Sequence, residues 1–435
     1  MKHQLLIKKA TRIEGNATIH VEIDQDRVQS ARMMVEDFRG FEKLCQGKDV
    51  AYVPHIVSRI CGLCSTAHQT ASLRAIENAL AITVPESVNQ LRQAAVYGEW
   101  IASHAISYFF LTQPDVLGTK EGIFGLMQHH PRIAEVAFSI QKAGSRIVEI
   151  LGGRSVHPIA MQAGGWSVLP SSDNLKEILA VCDRVADQTR QILSGLNGRS
   201  LPEQRIDFPT HNPVNFLCHD EDSGPEGRFN VYAMDGAQVD RFRVSVIEDH
   251  VSEMRADWSF AKFPYLSRLG FPDGIFHVGP LARAFFDDSA INLPELEGYE
   301  IIDRARASRG VHIEYIDVLR LAEIFWAATR IKELLLGIDL SAVETVPIDP
   351  GESGKGIGVV EAPRGVLIHS YTINRGRIER LKLLVATQFN NPLINLIIKD
   401  LAESHLEHGS LSESGQEAIG RCIRLFDPCL TCATH

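Results

Sequence analysis

The sequence predicts a mainly α-helical protein with small peripheral β-sheets, an α+β chain. Three observations carry that expectation. Apolar residues recur at helical spacing through 133–151, 174–195 and 313–337. Two turn sequences, Asp24-Gln25-Asp26-Arg27 and Asn374-Arg375-Gly376-Arg377, sit between runs rich in β-branched residues. No internal repeat and no Pro/Ser-rich linker interrupts the 435 residues. One compact unit is therefore expected over 1–435.

In chain order, residues 4–36 read as a β-hairpin turning at Asp24–Arg27, and 48–82 as helix around a first cysteine pair. Ser87 is a candidate cap for a helix running to about Leu111 and closed by Gln113-Pro114. Gly152-Gly153 ends the helix over 133–151, and 174–195 follows as an amphipathic helix. Pro, Gly, Asn and Asp crowd 203–240, which reads as a loop-rich insertion with short strands in a helical body of about 48–340. Helix is expected over 241–262 and 313–337, a second hairpin around Asn374–Arg377, and helices over 392–407 and 412–424, making a C-terminal unit of about 359–435. Gly351–Gly358 is expected to be a loop; it has no Gly-x-x-x-x-Gly-Lys-Ser/Thr pattern for a phosphate.

Composition excludes several classes. Apolar residues make up 45% and charged residues 23%, a folded composition, and the net charge is −10. Nucleic acid and anionic membranes require a basic face, and no Lys/Arg-dense run is present. No run of eighteen apolar residues is available to span a membrane. The start, Met1-Lys2-His3-Gln4-Leu5-Leu6-Ile7, lacks the long apolar core of a secretion signal. Eight cysteines are too few for a disulfide scaffold, so a reducing, cytoplasmic setting is expected.

Four of the eight cysteines form two Cys-x-x-Cys pairs, Cys61/Cys64 followed by His68 and Cys429/Cys432 followed by His435. Two thiols three residues apart can ligate one ion or bridge two adjacent ions. Four thiolates suit soft or borderline metals: zinc, iron–sulfur iron or nickel. A structural zinc site is one reading, although zinc ribbons pair their halves within tens of residues. A four-iron cluster is another. Cys45, Cys182, Cys218 and Cys422 read as buried apolar residues.

Arg12-Ile13-Glu14-Gly15, Arg59-Ile60-Cys61-Gly62-Leu63-Cys64 with His68, Glu361-Ala362-Pro363-Arg364-Gly365 and the terminal Asp427-Pro428-Cys429-Leu430-Thr431-Cys432 with His435 together resemble the large, catalytic subunit of nickel–iron hydrogenases. The resemblance covers essentially the whole chain. It implies a central helical bundle and the reaction H₂ ⇌ 2H⁺ + 2e⁻. It implies Cys61 and Cys429 as terminal nickel ligands, and Cys64 and Cys432 as bridges to an iron carrying carbon monoxide and cyanide. Cys429 would take the proton and Glu14 relay it outward. Arg364 would hang over the open metal position, with Asp115 and Asp427 completing its surroundings. His68 would hydrogen-bond a bridging thiolate. Glu42, His435 and a backbone carbonyl near Asn391 would hold Mg²⁺. The chain ending at His435 resembles a mature form from which an extension has been cleaved. Partners implied are an iron–sulfur small subunit and further flavin or iron–sulfur electron-transfer subunits, because Phe38–Lys43 and Gly152–Pro158 resemble the cytoplasmic branch linked to NAD(P), coenzyme F420 or heterodisulfide reductase. Two other readings remain: a non-catalytic subunit like the quinone-site subunit of respiratory complex I, and a zinc-stapled scaffold.

Overall fold

Long helices form the centre of the computed structural model, which describes residues 4–119, 121–196, 205–209, 211–221, 227–286, 312–349 and 351–435. They are α1 (Ser65–Ala79), α2 (Glu86–Ala105), α3 (Pro131–Gly152), α4 (Ser172–Leu196), α5 (Tyr315–Leu335), α6 (Ala386–Ser404) and α7 (Glu413–Phe426). Helix α2 packs between α3 and α5, and α5 also lies against α4. The α2/α3 crossing depends on glycine. A side chain at Gly144 would stand 2.5 Å from the Ala102 nitrogen and 2.6 Å from the Gly98 oxygen. Beyond α2 the chain widens into a π-helical stretch, Ile106–Thr112, a form often found beside functional sites.

Small sheets surround the helices. Strands β1 (Gln4–Lys9), β2 (Ala17–Asp24) and β3 (Arg27–Val35) form an antiparallel sheet in that order. Alternate residues Ala17, Ile19, Val21 and Ile23 are buried, the period-2 pattern of a half-buried sheet. The β2–β3 turn is made by Gln25 and Asp26, both at positive φ. Further on lie β4 (Asn215–Asp220), β5 (Arg228–Ala233), β6 (Gln238–Arg243), the hairpin β7 (Val251–Ala256) and β8 (Ser259–Leu266), and the short β9 (Phe276–His277), which runs parallel beside β4. A further antiparallel sheet comprises β10 (Gly354–Ala362), β11 (Gly365–Asn374) and β12 (Arg377–Leu384).

Several expectations are corrected. Residues 4–36 form three strands, because the chain breaks between β1 and β2 at Thr11–Asn16, where Arg12 and Gly15 have φ of 57° and 84°. Ser87 is not a cap: α2 starts at Glu86 after Pro85, with no side-chain cap. The stretch 241–262 is mostly the β7/β8 hairpin. Val244, Ile247, Val251 and Met254 fall at helical spacing, but the chain follows it only through the short turns Val244–Val246 and Ile247–His250 before extending into β7. Gly354–Gly358 opens β10 instead of forming a loop. Its alternate glycines Gly354, Gly356 and Gly358 lay the strand directly on the α1 backbone; side chains there would meet the oxygens of Ala79, Ala75 and Ala71 at 1.9, 2.3 and 2.0 Å. The helix expected from 392 starts six residues earlier, at Ala386. Helices α3, α4 and α5 and the Arg375-Gly376 turn follow the sequence reading. Part of the 203–240 stretch lies outside the described residues; the rest is loop with β4, β5 and the start of β6.

Candidate metal centre

The two cysteine pairs, from opposite ends of the chain, meet. Cys61 is extended after the tight turn Ser58–Ile60, and Cys64 precedes the first residue of α1. Cys429 stands just before the terminal helical turn Leu430–Ala433. Cys429 Sγ lies 3.1 Å from Cys61 Sγ and 2.9 Å from Cys432 Sγ, and Cys64 Sγ lies 3.1 Å from Cys432 Sγ. All four sulfurs are buried and within 4.8 Å of one another, close to twice a metal–thiolate bond of about 2.3 Å. Among the described residues no other group of three Cys, His, Asp or Glu side chains converges in this way.

The electrostatics call for a cation. Hydrogen bonds from the other three sulfurs hold Cys61 well below the ordinary thiol value. Burial pushes Cys429 up to about 11 and Cys432 well above the ordinary range. The cluster alone thus favours one shared thiolate; four together require a metal's charge. Glu99, fully buried, accepts from the Thr66 and Ala67 N–H groups and so anchors the start of α1 behind Cys64.

Glu14 reaches the second pair from the β1–β2 loop. Leu430 N–H donates to the Glu14 carbonyl at 3.2 Å, Thr431 N–H to Oε2 at 3.1 Å and the Thr431 hydroxyl to Oε1 at 2.6 Å. The same hydroxyl is 3.8 Å from Cys429 Sγ. Gly15 is required here: at φ 84° a side chain would meet Leu430 Cβ at 2.8 Å. Arg364 Nη2 pairs with Asp427 Oδ2 at 2.8 Å, its Nε donates to the Asp427 carbonyl at 2.7 Å, and Nη1 donates to the Ser103 hydroxyl at 3.3 Å. Burial opposes the guanidinium charge, yet Asp427 and the sulfurs hold it charged.

Asp115 is placed differently from the sequence expectation. It bridges Arg12 and Arg424, with Arg424 Nε at 2.6 Å, and so ties the Glu14 loop to α7 instead of touching Arg364. His68 Nε2 stands 3.4 Å from Cys432 Sγ. Glu42 Oε1 lies 3.4 Å from His435 Nε2 and accepts from Leu383 N–H at 3.0 Å, while Lys262 Nζ sits 3.3 Å from Oε2. Burial raises the Glu42 carboxyl, but His435, Leu383 and Lys262 bring it down to about 2. Asn391 is buried, with neither side-chain amide atom partnered.

A cavity adjoins the sulfurs. Cys64, Cys429, Cys432, His68, Pro363, Arg364, Leu367, Val385 and Thr387 are among its walls. Sequence reading missed Thr387, whose hydroxyl accepts from Cys429 N–H at 2.9 Å, and Thr431, which lies inside the second Cys-x-x-Cys. A hydroxyl at that inner position was the available signal.

Comparison with known proteins decides the family. Residues 39–120 and 302–435 match the nickel-dependent hydrogenase family. The β subunit of the NAD-reducing hydrogenase HoxS of Cupriavidus necator is 31% identical, covering 100% of this chain and 95% of the relative. The chain belongs to the nickel-dependent hydrogenase family. The α subunit of sulfhydrogenase 2 from Pyrococcus furiosus is 32% identical over 98% of this chain and 97% of its own. A solved NAD⁺-reducing [NiFe]-hydrogenase in the H₂-reduced state shares the fold over the full length of both chains, with a TM-score of 0.87 and 26% identity. This hydrogenase chain is accordingly a catalytic subunit, an oxidoreductase acting on hydrogen, with its nickel–iron centre at the four cysteines. Membership sets aside the zinc-scaffold and non-catalytic readings.

Proposed function

We propose that Cys61 and Cys429 are terminal nickel ligands, and that Cys64 and Cys432 bridge nickel to an iron carrying carbon monoxide and cyanide. One observation supports the bridging pair: Cys64 and Cys432 lie 3.1 Å apart, sulfur to sulfur, and both border the cavity. Apart from the sulfurs and His68 the cavity walls are apolar, with Arg364 and Thr387 as donors, an environment suited to compact diatomic ligands. Thr387 receives the Cys429 N–H and keeps its own hydrogen to give.

Metals held by the four cysteines would supply the Lewis acidity for splitting dihydrogen heterolytically. The chain supplies the base and the exit. Cys429 Sγ holds the proton. Thr431 accepts it from sulfur while donating to Glu14 Oε1, since one hydroxyl can do both. Arg364, held on two sides by Asp427, keeps a fixed positive fork at the cavity. Asp115 positions the Glu14 loop through Arg12.

Glu42, His435 and the Asn391 backbone carbonyl are the proposed Mg²⁺ ligands. A carboxylate held ionised beside an imidazole supports a cation there, with Lys262 neighbouring the second oxygen. Electrons leave to an iron–sulfur small subunit, since Cys45, Cys182, Cys218 and Cys422 join no cluster among the described residues. Exposed Phe38, its ring tilted 39° against that of exposed Phe260, and exposed Val156 beside Gly62 supply apolar surface for that partner near the first cysteine pair. Further flavin or iron–sulfur subunits carry the electrons on. Among the described residues no helix is long and apolar enough to cross a membrane, and the reading places the complex in the cytoplasm.

Metal analysis and infrared spectroscopy of the purified complex test this proposal. Near-equal nickel and iron with bands from metal-bound carbon monoxide and cyanide is the expected result. Zinc alone, or iron without those bands, overturns the assignment.

A further inference from the structure

His68 belongs to a buried chain of four hydrogen-bonding side chains that ends at a sulfur. Its Nε2 faces Cys432 Sγ at 3.4 Å, and its Nδ1 lies 3.0 Å from His369 Nε2. His369 Nδ1 lies 2.8 Å from the Tyr371 hydroxyl, and that hydroxyl donates to the Ser72 hydroxyl at 2.8 Å. Two periodicities build the chain. His68 and Ser72 are one turn apart on α1, and His369 and Tyr371 are two residues apart on β11, so each pair shares a face. All four residues are buried, with 1% exposure or less.

Each ring nitrogen in a neutral imidazole is either donor or acceptor, and fixing one fixes the other. The chain therefore has two self-consistent senses. With Tyr371 donating to Ser72, the Tyr371 oxygen accepts from His369 Nδ1–H, and His369 Nε2 accepts from His68 Nδ1–H. His68 Nε2 is then bare and suits only a Cys432 thiol. With Ser72 donating to Tyr371, every bond reverses and His68 Nε2–H points at the sulfur. A metal-bound thiolate carries no proton, so it is matched by the second sense alone, which requires the Tyr371 and Ser72 hydroxyls to turn from the arrangement in which Tyr371 donates. Burial keeps His369 well below its ordinary pKa, which favours the neutral ring this requires.

We propose that His369 and Tyr371 are positioning residues that hold His68 in the Nε2–H tautomer against metal-bound Cys432, and so set the electron donation of that bridging sulfur. This rests on the reading of Cys432 as a metal ligand. Such partners behind a ligand-contacting histidine fix its tautomer and orientation in metal sites generally.

The test uses the purified holoenzyme complex with His369→Leu, His369→Gln and Tyr371→Phe. Nickel and iron per chain are measured, and the nickel midpoint potential is followed by an EPR redox titration. Leu removes the donor to His68, whereas a Gln amide can restore it at the position of Nε2. Losing the hydrogen bond leaves more electron density on the sulfur and stabilises oxidised nickel. The expected result is a more negative potential in H369L, a smaller shift in the same direction in Y371F, and a value near the parent in H369Q. A parent-like potential in metal-loaded H369L, or equal shifts in H369L and H369Q, overturns the proposal. If H369L does not load metal, Y371F decides by the same criterion. A parent complex without nickel would instead overturn the metal-centre reading itself.

Discussion

Arg283 and Glu323 form a two-pronged ion pair, with both contacts at 2.8 Å and exposures of 3% and 0%. The same guanidinium pairs with Glu361 and donates to the carbonyl oxygens of Ala362 and Pro363, immediately before Arg364. His104 Nε2 meets the second Glu323 oxygen at 2.8 Å. This network fixes the turn that carries the cavity's guanidinium. Gly279 backs the same turn, where a side chain would strike the Arg364 oxygen at 2.6 Å.

Replacing Arg283 with Met leaves Glu323 buried without its main partner. Losing one side of a buried pair costs about 3–5 kcal/mol, so R283M should lower stability by that order in chemical denaturation. Adding Glu323→Leu should recover much of the loss, because the fully buried charge is then gone and Glu361, which also loses Arg283, is partly exposed. A double variant as unstable as the single would mean that the damage lies in the released 362–363 carbonyls and not in Glu323.

The same pair gives a pH dependence. Burial raises the Glu323 carboxyl, but Arg283 and His104 outweigh it and bring it to about 2. Its stabilisation is complete above pH 4.5 and is lost as pH falls toward 2. Burial lowers His104 below 6.5, so acidification below that value also favours the unfolded chain. Glu323→Gln should flatten the acid limb between pH 4.5 and 2 relative to the parent. Parallel denaturation curves across that interval would contradict the assignment.

Much of this site was legible because its ligands come in compact motifs. Cys61, Cys64, Cys429 and Cys432 announce themselves by type and spacing, and the long helices by their apolar period. Arg283 and Glu323 gave no such signal: one lies in Pro280–Phe286 and the other in the middle of α5, and only packing brings them together. Asp115 was misplaced for a related reason. Its position after a helix showed that it lies near the site, but not which of three arginines it meets. The β7/β8 hairpin was hidden because the apolar residues leading into it fall at helical spacing.

Thr431 offers a direct test of the proton exit. Thr431→Val keeps the shape and removes the hydroxyl between Cys429 and Glu14. Proton relay by a positioned group is worth roughly 10²–10⁴-fold, so isotope exchange between H₂ and D₂O should slow by about the lower figure. Thr431→Ser should stay near the parent, and Glu14→Gln should slow exchange at least as much as the Val variant. If Thr431→Val exchanges at the parent rate with metals bound, the proton does not pass through this hydroxyl.

Arg364 tests whether geometry or charge matters at the cavity. Its guanidinium makes three contacts at once: the Asp427 carboxylate, the Asp427 carbonyl and the Ser103 hydroxyl. Lysine retains the charge but concentrates it on one nitrogen, which cannot fill that fork and also face the cavity. Arg364→Lys should therefore bind nickel and iron as the parent does. Removing a preorganised donor costs about 10²–10³ in turnover, and hydrogen-oxidation assays should show a loss of that order. Parent-level turnover in the Lys variant would show that a positive charge alone suffices and that the fork held by Asp427 has no part in catalysis.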